Sequence, residues 1–142
     1  MKIAGALIII LALIIGAVPQ FTDCASQGRS LTLDSGRTIP MKCHWTAEAE
    51  LATAGPLAVM GGLMFINRRK ETYRAIAILG AVMGAFAILL PTQLIGVCMS
   101  DEMLCNTLMK PALILSGALT IVISAVVFFL AKDQERKEVP ET

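Results

Sequence analysis

Residues 75–96 read AIAILGAVMGAFAILLPTQLIG, a stretch that contains no Lys, Arg, Asp or Glu. A helix needs about 20 apolar residues to cross a bilayer core about 30 Å thick, so this stretch predicts a transmembrane helix. Three further apolar blocks divide the rest of the 142-residue chain. The sequence therefore predicts a single-domain, all-α membrane protein with transmembrane helices at about 3–20, 47–66, 75–96 and 109–131.

The composition excludes most classes of soluble protein. The chain is 56% apolar and 16% charged, with a mean hydropathy of +0.72, whereas soluble domains are about 45–50% apolar and about 25% charged. A net charge of +1 gives no basis for nucleic-acid binding. With a single His in the chain, metal-finger, phosphate-loop and triad chemistry is disfavoured. We expect no catalytic residue and no cofactor, and a non-enzymatic role is favoured.

The first apolar block has an alternative interpretation. Lys2 followed by an apolar run is typical of a secretory signal peptide. A cleavage site of small residues is poor here, because Pro19 stands where the cut would fall, and Thr22 and Asp23 before Cys24 make a poor lipoprotein box. We therefore expect this block to be retained as a helix.

Basic residues predict the orientation of the helices. The link between the second and third blocks, residues 67–74, holds four basic residues. With Lys2 and the tail at 132–142, eight basic residues fall on one side of the membrane and four on the other. We expect both termini in the cytoplasm, a multi-pass protein in the cytoplasmic (plasma) membrane, and outer loops at 21–46 and 97–108.

All four cysteines lie in these two predicted outer loops, which agrees with the orientation because disulfides persist in oxidising compartments. In the first loop, Asp-Ser-Gly at 34–36 predicts a short β-hairpin with its glycine in the left-handed region. The residue numbers of paired positions in this hairpin would sum to about 70. Since 24 and 43 sum to 67, Cys24 and Cys43 would lie near the open end of the same ribbon. We expect a Cys24–Cys43 bridge worth about 3 kcal/mol and a Cys98–Cys105 bridge worth about 2–3 kcal/mol, with cross-loop pairing as the main alternative.

Small and hydroxyl residues predict close helix packing. Gly80 and Gly84 have small-xxx-small spacing in the third block, and Ser116, Thr120 and Ser124 form one stripe in the fourth. We favour packing within the chain over an oligomer contact, and a homo-oligomer stays an alternative.

Candidate functional residues surround the start of the second block. Glu48 and Glu50 suit a helix N-terminus, with Thr46 as its N-cap and Trp45 as an interfacial anchor. Because Glu50 lies deeper, it is a candidate for proton or cation binding. The candidate outer-face cluster is Cys43, His44, Trp45, Glu48, Glu50 and Lys110.

Soft side chains near the single His suggest a copper site as an alternative, since thioethers and thiolates select Cu(I). Methionine is simply frequent in this chain, with eight residues, so the main expectation is that no metal is bound. The alternative copper ligand set is Met41, His44, Met99 and Met103.

Two segments carry a family resemblance, MKCHWTAEAE at 41–50 and IGVCMSDEMLCNTLMKPALILSG at 95–117. They resemble a bacterial and archaeal family of small four-helix membrane proteins, the domain of unknown function 4418, over nearly the whole chain. Because genes of this family often lie beside ABC exporters of the macrolide or lipoprotein type, the resemblance implies an accessory role and assigns no catalytic residue. The implied motif positions are Cys43, His44, Trp45, Cys98, Cys105, Lys110 and Pro111.

Three functions are therefore weighed. The main expectation is a non-catalytic accessory or interaction subunit in the lipid bilayer, which presents a disulfide-stapled outer face to another membrane protein such as an ABC permease. The first alternative is a quinone-linked thiol–disulfide oxidoreductase using Cys43/Cys24 and Cys98/Cys105, although the chain lacks the Cys-x-x-Cys spacing common in such relays. The second alternative is extracytoplasmic copper binding.

The orientation predicts the accessibility of introduced cysteines. A Ser35→Cys variant in the hairpin turn should react with a membrane-impermeant thiol reagent in intact cells, in excess of the native background. Glu71→Cys, in the basic link, should react only after permeabilisation. The reverse pattern would show that the orientation is inverted.

Overall fold

The computed structural model describes residues 2–67, 69–98, 100 and 102–138. Within this part of the chain, four helices are long and apolar enough to cross a membrane, which makes the chain a multi-pass membrane protein. The elements are α1 (Lys2–Thr22), β1 (Leu31–Thr32), β2 (Thr38–Ile39), α2 (Lys42–Ile66), α3 (Lys70–Leu89) with a π-helical continuation at Leu90–Leu94, and α4 (Lys110–Glu138), preceded by a π-helical turn at Cys105–Met109.

The helices pack as two antiparallel hairpins. α1 lies along α2 and α3 lies along α4, while α1 also contacts α4 and α2 also contacts α3. The inner faces are buried, and some of their side chains are completely so, among them Ile15, Leu57 and Leu113. Large apolar side chains such as Leu13 (64%) and Val59 (62%) remain exposed on the outer faces. An apolar exterior of this kind suits contact with lipid.

The connections at 23–41 and 95–104 lie at the same end of the bundle, which we call the cysteine end because these segments and the adjoining helix ends carry all four cysteines. The hairpin in the first connection has the predicted register, Leu31 opposite Ile39 and Thr32 opposite Thr38. Gly36 has φ +75°, as predicted for its turn.

Several helices begin earlier than predicted. α2 begins at Lys42 rather than near 47, so Cys43 lies in its first turn. The N-cap is Met41, without a side-chain cap bond, and the prediction of Thr46 as N-cap is wrong. Pro40 lacks the N–H that would extend the strand, and the helix begins directly after it.

The two chain segments that flank the second connection are π-helical. Pro91 lies inside the first of these segments, and Pro111 lies in the first turn of α4, just after the second. Proline cannot donate the backbone hydrogen bond of a regular helix turn, and single π turns are a common adjustment inside helices. These turns set where Cys98 and Cys105 leave the bundle.

α3 and α4 approach each other closely at two glycines. A Cβ added at Gly117 would lie 2.7 Å from the carbonyl oxygen of Gly84, and one added at Gly84 would lie 2.9 Å from that of Gly117. The hydroxyl stripe of α4 is also buried, and Ser124 Oγ lies 2.6 Å from the Cβ position of Gly80. The small residues therefore pack within the chain.

This contact predicts opposite effects of the same substitution at two glycines. Gly117→Ala should lower the unfolding temperature in detergent, because its methyl group forces α3 and α4 apart. Gly62→Ala, in α2 with no atom near the added Cβ, should be neutral or stabilise by about 0.5–1 kcal/mol through helix propensity. Equal unfolding temperatures for the two variants would contradict the close approach.

Candidate metal centre

Four cysteine sulfurs lie together at the cysteine end of the bundle. The Sγ atoms of Cys24, Cys43, Cys98 and Cys105 all lie within 4.8 Å of one another. Cys98 Sγ lies 3.4 Å from Cys43 Sγ and 3.6 Å from Cys24 Sγ, and Cys24 Sγ lies 3.8 Å from Cys105 Sγ. We call these four residues the sulfur cluster.

The first helical hairpin supplies two of the four sulfurs. Cys24 follows the end of α1, where its carbonyl oxygen accepts a hydrogen bond from the Arg29 N–H at 2.9 Å. Cys43 projects from the first turn of α2, on the buried face shared with Ala47 and Glu50. The early start of α2 is therefore what brings Cys43 into the cluster.

The second hairpin supplies the other two sulfurs. Cys98 follows Gly96, whose φ of +81° turns the chain after the π-helical end of α3. The Thr46 hydroxyl donates to the Gly96 carbonyl oxygen at 2.8 Å, which fastens this turn to α2. Cys105 begins the π turn that leads into α4.

The sulfur cluster is largely closed to solvent. Cys24, Cys43 and Cys105 are at most 2% exposed, and Cys98 is half-buried. Two thioethers lie at its edge: Met103 Sδ is 3.9 Å from Cys24 Sγ, and Met41 Sδ is 4.0 Å from Cys98 Sγ. The site thus presents a soft, sulfur-rich surface to anything it holds.

The thiols outside the membrane-spanning segments differ in acidity. Burial raises the pKa of the Cys24 thiol, and its contacts with the neighbouring thiols raise it further. Burial also acts against the Cys98 thiolate, but hydrogen bonds from Cys43 and Cys24 outweigh it and lower the Cys98 pKa. Cys98 is therefore the thiol that ionises more readily of the two.

A polar pair lies beside the sulfur cluster. His44 Nδ1 lies 3.1 Å from Asp23 Oδ2, and the Ser26 N–H donates to Asp23 Oδ1 at 2.8 Å. Burial opposes ionisation of Asp23, but the hydrogen bonds from Ser26 and His44 lower its pKa. The sequence analysis did not single out Asp23, whose position directly before Cys24 was the available signal.

The predicted outer-face cluster comes together only in part. Glu48 is exposed, Trp45 is 58% exposed and packs edge-on against His44, and Glu50 is completely buried. Lys110 is half-buried at the start of α4.

Of the alternative copper ligands, Met41 and Met103 border the sulfurs. His44 instead faces Asp23 and is not among the residues that converge with the cysteines. Met99 lies outside the described residues.

All four cysteines are free thiols in the structure, so the bridges Cys24–Cys43 and Cys98–Cys105 stay a prediction. The three short sulfur contacts given above each join the first connection or its adjoining helix to the second. This arrangement resembles the cross-loop alternative more closely than pairing within each loop.

Three of the six sulfur–sulfur distances are close to those of a four-coordinate metal site, and all six are at most 4.8 Å. Thiolates about 2.3 Å from a tetrahedral Zn²⁺ have sulfur–sulfur distances of about 3.8 Å. The observed contacts of 3.4–3.8 Å come close to this edge length. Tetrahedral sets of four sulfurs are typical of zinc or iron–sulfur sites, and thiolates and thioethers also select Cu(I).

The Asp23 contacts predict a pH-dependent contribution to stability. Because the folded-state pKa of Asp23 is lowered, its contribution is present above the ordinary Asp pKa of about 4 and is lost as pH falls through the folded-state value. Asp23→Asn should therefore lower the unfolding temperature at neutral pH, with the difference from wild type vanishing in acid. Asp34→Asn, in the exposed hairpin turn, is the matched control. Equal unfolding temperatures for Asp23→Asn and wild type at neutral pH would refute this.

Comparison with known proteins places the chain in a family. The family described as "Domain of unknown function (DUF4418)" matches residues 2–130, which include all four helical spans and the sulfur cluster. No curated protein and no solved structure matches the chain. As the sequence motifs predicted, the chain belongs to the DUF4418 family.

Proposed function

We propose that this protein is a metal-binding membrane protein that holds one thiophilic cation, Zn²⁺ or Cu(I), in a tetrathiolate centre. The ligands are the four residues of the sulfur cluster. The observation that carries the proposal is the approach of all four sulfurs, from four separate chain segments, to within 4.8 Å of one another. The sequence analysis expected no metal, and the geometry of these sulfurs leads us to a different conclusion.

A cation would remove the main electrostatic cost of this arrangement. If all four thiols ionised, thiolates at 3.4–3.8 Å from one another would repel, and at low local dielectric this repulsion would be strong. A bound cation replaces the repulsion with four metal–sulfur bonds. Because three of the four cysteines are buried, the site resembles closed structural or storage sites more than open catalytic ones.

The surroundings leave two cations in competition. Four thiolates in a tetrahedron suit Zn²⁺. The Met41 and Met103 thioethers, 4.0 and 3.9 Å from cluster sulfurs, add the ligands that Cu(I) accepts and Zn²⁺ disfavours. Both ions prefer thiolate ligands. Variants that lack a thioether distinguish them, because only Cu(I) binding should weaken.

Metal binding would also affect the fold. The cluster joins the end of α1 and the start of α2 to the segments that flank α3 and α4, so a bound ion ties the two helical hairpins together at the cysteine end. Metal-binding free energy is then folding free energy. With the predicted orientation, this clamp lies on the outer face of the membrane.

Thiol–disulfide exchange is a second candidate, favoured by one specific contact. Cys98, with its lowered pKa, lies 3.4 Å from Cys43. The Cys98 thiolate would attack a substrate disulfide, and the Cys43 thiolate would then displace the second substrate thiolate. The substrate leaves as a dithiol and Cys43–Cys98 becomes a disulfide.

The quinone link, the accessory role beside an ABC permease and the homo-oligomer stay predictions.

The metal proposal is tested on reduced, chelator-treated protein in mild detergent. We expect one Zn²⁺ or one Cu(I) per chain, and visible bands of tetrahedral thiolate coordination when Co²⁺ is used as the probe. Cys43→Ser should abolish the bands, whereas His44→Ala should retain them, because His44 faces Asp23. Met41→Leu should weaken Cu(I) binding and leave Zn²⁺ binding unchanged if Cu(I) uses the thioether.

Two results would overturn the metal proposal. One is the absence of stoichiometric binding by reduced, folded protein. The other is retention of the Co²⁺ bands in Cys43→Ser. Isolation of the protein with a Cys43–Cys98 disulfide that forms and breaks with added dithiol would instead support thiol–disulfide exchange.

A further inference from the structure

Glu50 is a buried acid without a partner. It lies on the face of α2 that carries Cys43, two helical turns further along and about 10 Å along the axis. Its side chain is 0% exposed, and neither carboxyl oxygen has a hydrogen-bond partner among the described residues. Glu48, two residues before it, is exposed. Of the two acids in this segment, only Glu50 is therefore buried.

The elements packed against α2 bring no counter-charge near Glu50. These elements are α1, α3 and the π-helical segment at Leu90–Leu94, and the last of these contains no titratable residue. The titratable groups of α1 and α3 all lie at the end of the bundle opposite the cysteine end, and they are Lys2, Lys70, Glu71, Tyr73 and Arg74.

The groups at the cysteine end lie further out along α2 or beyond it. On α2 itself, Lys42, Cys43 and His44 lie two turns away from Glu50, and Glu48 points to the exposed surface. The adjoining segments carry the half-buried Lys110 and the other three cysteines of the sulfur cluster. They also carry Asp23, which pairs with His44.

An ionised carboxylate in this position would be costly. An unpaired charge taken out of water loses several kcal/mol of solvation, and inside a membrane bundle there is no bulk water to restore it. A protonated carboxyl group carries no charge and avoids this loss. Ionisable groups that face a bundle interior are typically sites of proton or ion binding.

The polar groups nearest along this face of α2 lie toward the cysteine end. Thr46 is one turn away, and its hydroxyl donates to the Gly96 carbonyl oxygen. In the other direction the buried face of α2 continues with apolar side chains, among them Ala54, Leu57 and Met64. Along this face of α2, Thr46 is therefore the polar side chain between Glu50 and the cysteine end.

We propose that Glu50 is a proton-binding site inside the membrane part of the protein, which holds one exchangeable proton at neutral pH and exchanges it by way of Thr46 at the cysteine end. The site is distinct from the sulfur cluster and does not require a metal there. Its chemistry fits a proton store near the cysteine end, since the buried face of α2 beyond Glu50 carries apolar side chains.

Infrared spectroscopy of the whole protein in a detergent without carbonyl groups tests this proposal directly. Exposed carboxyl groups have pKa values of about 4 and are ionised at pH 7. A carboxylic-acid carbonyl band at that pH therefore reports a buried acid. We expect such a band in wild type and in Glu48→Gln, and its loss in Glu50→Gln. A wild-type spectrum without the band, or a Glu50→Gln spectrum that retains it, would overturn the proposal.

Three further variants keep the test decisive. If Glu50→Gln does not fold, Glu50→Asp retains an acid, and the band should move in frequency instead of vanishing; an unmoved band would show that it comes from another group. In deuterated solvent the wild-type band should shift, and Thr46→Val should slow that shift several-fold. Thr53→Val should leave the rate of the shift unchanged, because the Thr53 hydroxyl donates within α2 to the Ala49 carbonyl oxygen. No shift, or equal rates in both variants, would rule out exchange by way of Thr46.

Discussion

The meeting of four sulfur atoms at one end of the bundle is the constraint on which the rest of the structure depends. Each sulfur comes from a different segment, so α1 must end, α2 must begin and both π-helical segments must turn within a few ångströms of one point. The helices alone pack as two hairpins, α1 with α2 and α3 with α4. The sulfur cluster is where both hairpins contribute equally to one site.

Much of the architecture could be predicted from the sequence because it depends on strong, local signals. Apolar blocks with few or no charges predicted four helices, and Asp-Ser-Gly at 34–36 predicted the hairpin turn and its register. The start of α2 could not be located in this way. Hydropathy reports which residues suit lipid and does not report where a polar helical turn such as 42–46 begins.

The site was harder to predict than the fold because its residues are far apart in the chain. Cys98 contacts Cys43 across 55 positions, and Cys105 contacts Cys24 across 81. Loop membership suggested pairing within each loop, whereas helix packing places the sulfurs of both loops together. Asp23 was missed for a similar reason: its role depends on His44, which comes within 3.1 Å only after α1 and α2 pack.

The polar chemistry of the protein is concentrated at the cysteine end. The sulfur cluster, the Asp23–His44 pair and the Thr46 hydrogen bond to Gly96 lie there, and Glu50 lies two turns further in. The remaining length of the bundle holds apolar contacts, the small-residue interface of α3 and α4, and the buried hydroxyl stripe of α4. X-ray absorption at the metal edge of the protein, as isolated from its native membrane without added metal, tests the central claim most directly. The account predicts about four sulfur neighbours at about 2.3 Å from a single ion. A shell of nitrogen and oxygen neighbours, or protein that contains two disulfides and no stoichiometric metal, would contradict it.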